Sequence, residues 1–141
     1  MTPLQALQRT LAGEHAAVYV YGVLGGRVSL SREPELAGLL STAYVVHRGR
    51  RDQLTAMVRA KGGDPVAAEV SYELPNAATT QAQLRSAALV TERRCSATYA
   101  DMAGSTSRAD RRWAVDALTD TAVRELGFGG RPDAYPGVAE L

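Results

Sequence analysis

Between Gly62 and Ala78 the chain reads GGDPVAAEVSYELPNAA, and the length of this stretch decides the fold. Asp64-Pro65 and Leu74-Pro75 bias the residue before each proline toward extended backbone, and no helical period runs through the segment. It reads as a connection of about 16 residues, whereas antiparallel neighbours in a bundle usually need about two to eight. Stretched at about 3.3 Å per residue it reaches roughly 50 Å, more than the roughly 40 Å of a helix of about 27 residues. The segment can therefore carry the chain from one end of a helical bundle to the other.

Helical periodicity flanks it on both sides. Upstream, Pro34 opens a segment whose seam is Leu36, Leu40, Ala43, His47, Arg50, Leu54 and Met57, and Gly62, Gly63 and Pro65 stop it near residue 61. Before that, Thr2 is a candidate cap and Pro3 a first helical residue, followed by the stripe Leu4, Leu7, Leu11, Glu14, Val18 and Tyr21 over about 3–28. Downstream, a helix over about 79–103 carries Leu84, Ala88, Glu92, Cys95, Tyr99 and Met102 on one face. A fourth, over about 108–126, follows a Ser107–Asp110 capping signal and shows Val115, Leu118, Ala122 and Leu126. The expectation is an all-α protein, one domain over 1–141. It is a four-helix bundle with short first and last connections and a long crossover between helices 2 and 3, the ferritin-like arrangement. The Gly- and Pro-containing tail from Phe128 to Leu141 is expected to be irregular and packed along the bundle.

Composition excludes several classes. The 141 residues include 16 Lys+Arg and 15 Asp+Glu, a net charge of +1, which removes the positive field that nucleic-acid binding needs. One cysteine, Cys95, permits neither an internal disulfide framework nor a cysteine-rich zinc site. No apolar run approaches the roughly 18 residues of a membrane helix, and Met1 to Leu11 lacks the features of a secretory signal, so a cytoplasmic, membrane-free protein is expected. Gly25-Gly26 and Gly129-Gly130 read as helix ends rather than phosphate loops, because no strand precedes them.

The apolar stripes contain charged residues at matching heights. Glu14 and His47 lie 17 and 16 residues either side of Ser31 in the first turn, so each is about 25 Å from it and both face the interior. Glu92, Cys95 and Tyr99 reach that height from helix 3, and Tyr44 sits one turn from His47. A lone buried carboxylate is costly and tends to take up a proton, so partners are expected. Arg50 or Arg51 lies one turn beyond His47, and Arg51 is the expected inner partner. The candidate layer is Glu14, Tyr44, His47, Arg51, Glu92 and Tyr99, read as a structural hydrogen-bond and ion-pair network in preference to a metal or catalytic centre. His15 is assigned to a helix boundary or dimer contact, and Cys95 to a buried inert thiol. Tyr19 and Tyr21 cannot share a helix face, so one is internal. Trp113 is core or interface.

Four runs carry a resemblance: Leu11-Ala12-Gly13-Glu14-His15-Ala16-Ala17-Val18-Tyr19-Val20-Tyr21-Gly22, Ala43-Tyr44-Val45-Val46-His47-Arg48-Gly49-Arg50-Arg51-Asp52, the stretch from Gly63-Asp64-Pro65 to Tyr72-Glu73-Leu74-Pro75, and Ala134-Tyr135-Pro136-Gly137. Together they resemble a small ferritin-like domain family of actinobacteria described as a domain of unknown function. The resemblance spans nearly the whole chain and implies the same crossover bundle, without an activity. Di-iron members of the wider superfamily place a carboxylate on each of two helices and Glu-x-x-His on each of the other two. Here Glu14 and Glu92 fit the lone carboxylates, but helix 2 reads Tyr44-Val45-Val46-His47, and helix 4 offers Asp116, Asp120 and Glu125 with no histidine. The expected protein is a metal-free, cofactor-free and non-catalytic binding or scaffold module, a homodimer with a protein or small-molecule partner. The alternative is a ferritin-like oxidoreductase holding iron or another divalent transition metal on Glu14, His47 and Glu92.

Overall fold

The structure is a computed structural model describing residues 1–138. The helices are α1 (Pro3–Arg27), α2 (Pro34–Ala60), α3 (Gln81–Ser105) and α4 (Arg108–Gly127), and no strand occurs among the described residues. Side-chain chemistry sets two of the starts. The Thr2 hydroxyl accepts from Gln5 N while the Gln5 side chain accepts from Thr2 N, and Thr80 and Gln83 repeat this reciprocal cap. The second cap places the start of α3 at Gln81 rather than at the predicted Thr79. The predicted Ser107–Asp110 cap does not form, because Ser107 makes no side-chain cap bond and Asp110 pairs instead with Lys61 at 2.7 Å.

Cross-helix bonds fix the helix directions. Contacts of α1 with α3 run from Arg9–Asp101 at one end to Tyr21–Glu92 further along, so these helices are antiparallel. Between α2 and α3 the contacts run Glu33–Gln81, His47–Glu92 and Arg50–Tyr99, so these helices are parallel. Parallel neighbours in sequence require a connection as long as the helix. The connection lies along α1: Gln8 bonds the backbone of Asp64 and Val66, the Tyr19 and Tyr72 rings meet at 5.6 Å, and Arg27 reaches the Ala77 carbonyl at 2.9 Å. The chain is thus an all-α four-helix bundle with a lengthwise crossover. No helix among the described residues is long and apolar enough to cross a membrane.

The apolar core has two clusters, one around Leu24, Leu36, Leu40 and Phe128 and the other around Leu7, Leu11, Leu54, Val58 and Met102. Each such buried side chain contributes about 1.5–3 kcal/mol. On α1 and α2 the break between clusters falls at Glu14 and at His47 to Arg50. On α4 the buried residues are Ala114, Ala117, Thr121 and Glu125, one position before each residue of the predicted stripe. Val115 and Leu126 are instead 46% and 45% exposed. The inner face of this helix meets Arg50 and Ser96, so small and polar residues fit there and hydrophobicity points to the wrong side. After α4 the tail packs against the bundle. Phe128 is buried with its ring 6.2 Å from Tyr21, and Gly137 (φ +80°) lies so close to α3 that a Cβ would stand 2.4 Å from the Ser96 carbonyl oxygen. The last three residues of the predicted irregular tail lie outside the described residues.

Candidate functional site

Antiparallel packing of α1 against both α2 and α3 brings the middles of three helices together. Glu14, His47 and Glu92 are each fully buried. His47 Nδ1 stands 2.6 Å from Glu14 Oε2, and His47 Nε2 stands 2.9 Å from Glu92 Oε1. Carboxylates only accept, so satisfying both contacts takes a proton on each ring nitrogen, and the imidazole is an imidazolium. Burial alone would lower its pKa, but Glu14 and Glu92 outweigh that and raise it to about 9. For Glu92 burial acts to raise the carboxyl pKa, yet the hydrogen bond and charge of His47 hold it below the usual range.

Two tyrosines donate to the same carboxylates. The Tyr99 hydroxyl donates to Glu14 Oε1, and the Tyr21 hydroxyl donates to Glu92 Oε1 at 2.5 Å while its ring stacks on His47 with centroids 5.3 Å apart. Burial, followed by the neighbouring carboxylate, raises both phenol pKa values well above normal, which keeps each hydroxyl a donor. The network then passes to α4. Arg50 donates to the Tyr99 hydroxyl at 3.1 Å, to Thr121 at 2.8 Å and to Asp120 at 2.5 Å, and its guanidinium lies 5.1 Å from the centre of the Tyr99 ring. Arg124 holds Asp120 at 2.7 Å and stands 4.0 Å from Glu92 Oε2, an oxygen without a hydrogen-bond partner. Three carboxylates, those of Glu14, Glu92 and Asp120, therefore meet three cations, His47, Arg50 and Arg124.

Of the six residues singled out in the sequence, the structure brings together Glu14, His47, Glu92 and Tyr99. Tyr44 and Arg51 stand apart. Tyr44 is half-buried beside Gly22 under the Arg48 guanidinium, 5.7 Å away, so Tyr21 rather than Tyr44 supplies the second phenol. Arg51 pairs with its neighbour Asp52 at 2.8 Å near the surface, and Arg50 takes the inner position. Sequence reasoning missed Tyr21, Asp120, Thr121 and Arg124 as members. Tyr21 carried a usable signal, since it lies two turns from Glu14 on the same stripe, as Glu92 does from Tyr99 on antiparallel α3. His15 bonds the Val66 carbonyl at 2.9 Å and so holds the crossover instead of entering the layer. Trp113 packs edge-on to Tyr99 and donates to Gln53 at 2.7 Å.

The donor set does not match a di-iron centre. Helix α4 turns Thr121 and the Ala117 carbonyl inward rather than a carboxylate–histidine pair, and a guanidinium fills the space before them. One group of potential ligand atoms does converge: oxygen, nitrogen and sulfur from Glu14, His47 and Cys95 lie within 4.8 Å of one another. A metal there would need a ring nitrogen free of its proton, and each ring nitrogen already faces a carboxylate. Burial, then Glu14 and Glu92, raise the Cys95 pKa well above normal, so its sulfur is a thiol here and a metal would have to displace that proton to bind it.

The same architecture occurs elsewhere. The crystal structure of a conserved hypothetical protein, rv2844, from Mycobacterium tuberculosis is similar with a TM-score of 0.83 and 29% sequence identity, over 90% of this chain and 94% of that one. No curated protein matches the chain. The family model described as a domain of unknown function, DUF4439, matches residues 6–140. With nearly every residue inside that match, the chain belongs to the DUF4439 family.

Proposed function

We propose that this protein is a ferritin-like bundle that works without metal, as a non-catalytic binding or scaffold module. The observation that carries the reading is the doubly engaged imidazole of His47. A proton on each ring nitrogen, together with the Arg50 guanidinium, supplies the positive charge that metal cations would bring to a carboxylate-lined bundle interior. Three carboxylates against three cations leave no net charge for a divalent ion to neutralise. The tyrosines are donors to carboxylates, which suits them to fixing helix positions.

The test is metal content. Protein purified from cells supplied with iron, manganese and zinc is expected to carry far less than one equivalent of any of them, and its melting temperature is expected to stay constant when they are added. About one equivalent or more, lost in Glu14→Ala or His47→Ala, overturns the reading in favour of a mononuclear centre on Glu14, His47 and Cys95. A homodimer belongs to the same proposal. Val115 and Val123 are exposed and equidistant from Thr119, whose hydroxyl is bonded back to the Val115 carbonyl, so two α4 helices can pair about a two-fold axis at Thr119. Light scattering reads the mass, and a monomer that Val123→Glu leaves unchanged overturns that part.

A further inference from the structure

The crossover roofs a cavity of about 320 Å³ over the seam between α1 and α3. Gly13, Ala16 and Ala17 of α1 leave the space, and Cys95 forms part of its α3 wall. Thr91 and Thr98 also line it, but the Thr91 hydroxyl is given to the Ala87 carbonyl at 2.8 Å and the Thr98 hydroxyl to the Cys95 carbonyl at 2.8 Å. Neither hydroxyl proton is left to donate to a ligand, and the body of the cavity is apolar.

Its two charged members are of opposite sign, and the Tyr72 hydroxyl on the crossover accepts from Glu69 N. Arg94 of α3 and Glu73 of the crossover both line this cavity, both are exposed, and neither side chain has an ion pair or hydrogen bond to any described residue. Nearby Arg93, by contrast, has Glu125 at 3.8 Å. A purely anionic guest would bring a like charge to Glu73, and a purely cationic one would do the same to Arg94. The volume lies at the small end of ligand sites, which run from about 300 to 1,000 Å³, and so suits a molecule smaller than a nucleotide or a lipid. We infer that the cavity binds a free apolar α-amino acid, with its carboxylate on Arg94, its ammonium on Glu73 and its aliphatic or aromatic side chain among Ala16, Ala17 and Cys95. This assignment gives the proposed binding module a ligand and rests on that reading. It fails independently, because metal content is set in the Glu14–His47 layer.

Calorimetric titration of the full chain at pH 7 tests it. The probes are L-leucine and L-phenylalanine, compared with 4-methylpentanoate, which lacks the ammonium, and 3-methylbutylamine, which lacks the carboxylate. Leucine or phenylalanine is expected to bind, with each single-charge analogue about tenfold weaker or more, the worth of one charged hydrogen bond. Arg94→Ala should erase the difference between leucine and 3-methylbutylamine, and Glu73→Gln the difference between leucine and 4-methylpentanoate. Both side chains are exposed, so both variants fold. Ala16→Leu fills the space and should abolish binding while retaining the helical circular dichroism of the parent; if that variant fails to fold, the two charge variants decide alone. The inference is overturned if neither amino acid binds at millimolar concentration, if a single-charge analogue binds as tightly as leucine, or if Arg94→Ala and Glu73→Gln leave leucine affinity unchanged.

Discussion

Replacing Glu14 with alanine removes the acceptor shared by two buried donors, His47 Nδ1 and the Tyr99 hydroxyl. The protein around them is closed, with all three residues fully buried. Each stranded donor costs about 1–3 kcal/mol, and the polar layer changes from balanced to one excess positive charge in a medium that solvates it poorly. Breaking a buried ion pair from one side typically costs about 3–5 kcal/mol, which agrees with the sum of the two donors. We expect Glu14→Ala to lose about 4 kcal/mol at pH 7, a large part of the roughly 5–15 kcal/mol available to a folded domain. In Glu14→Gln the amide oxygen still accepts from the imidazole, and the amide nitrogen can donate to Tyr99 once that hydroxyl reverses its role. That variant should lose about 1–2 kcal/mol. Urea unfolding followed by circular dichroism, with equal slopes for the three proteins, gives both numbers. A loss under about 1 kcal/mol in Glu14→Ala, or equal losses in the two variants, would refute the pairing argument on the scale of a single buried hydrogen bond.

The remaining expectations test other parts of the layer and the tail. His47 has a folded pKa of about 9 against an ordinary 6.5, so the stability it contributes is full below pH 6.5 and lost as pH rises through 9. The loss amounts to about 3 kcal/mol at about 1.4 kcal/mol per pH unit, and urea midpoints between pH 6 and 10 should fall in the parent and stay flatter in His47→Gln. The lowered carboxyl of Glu92 has the opposite sign, contributing stability above its unfolded pKa that is lost as pH falls through the folded one, and acid titration of Glu92→Gln should show a shallower decline. Arg50→Ala should cost about 3 kcal/mol or more and Arg51→Ala less than about 1, because the first takes the donor from the buried Tyr99 and Thr121 hydroxyls and a cation from the layer, while the second breaks a surface pair with Asp52. Equal effects in thermal melts would show that the inner arginine is misassigned. Gly137→Ala combines an unfavourable positive φ with a Cβ 2.4 Å from the Ser96 carbonyl, and should lower stability by about 1–3 kcal/mol; an unchanged melting temperature would show that the tail does not dock there.

What the sequence revealed and what it hid have a common cause. The helices, the crossover and the meeting of Glu14 with His47 all depend on counting residues along strongly apolar stripes, where a period is visible and height follows from 1.5 Å per residue. Those stripes run through α1, α2 and α3, whose buried faces carry Leu and Ala at helical spacing. The inner face of α4 contains Ala114, Ala117, Thr121 and Glu125; of its larger aliphatic residues only Leu118 packs against the core, and Val115, Val123 and Leu126 point outward. Read by hydrophobicity, this helix is rotated by one residue, and the rotation carries through to the arginines. Arg50 and Arg51 follow His47 by three and four residues, so both positions lie near the seam, and only the partners on the opposing helix distinguish them. With Ala122 facing in, neither arginine has a waiting acceptor. With Thr121 facing in, the Ala117 carbonyl and Asp120 come with it and Arg50 is selected. The polar residues that helix burial penalises thus determine both which face of α4 is inside and which arginine crosses to it, and an apolar period cannot report on either.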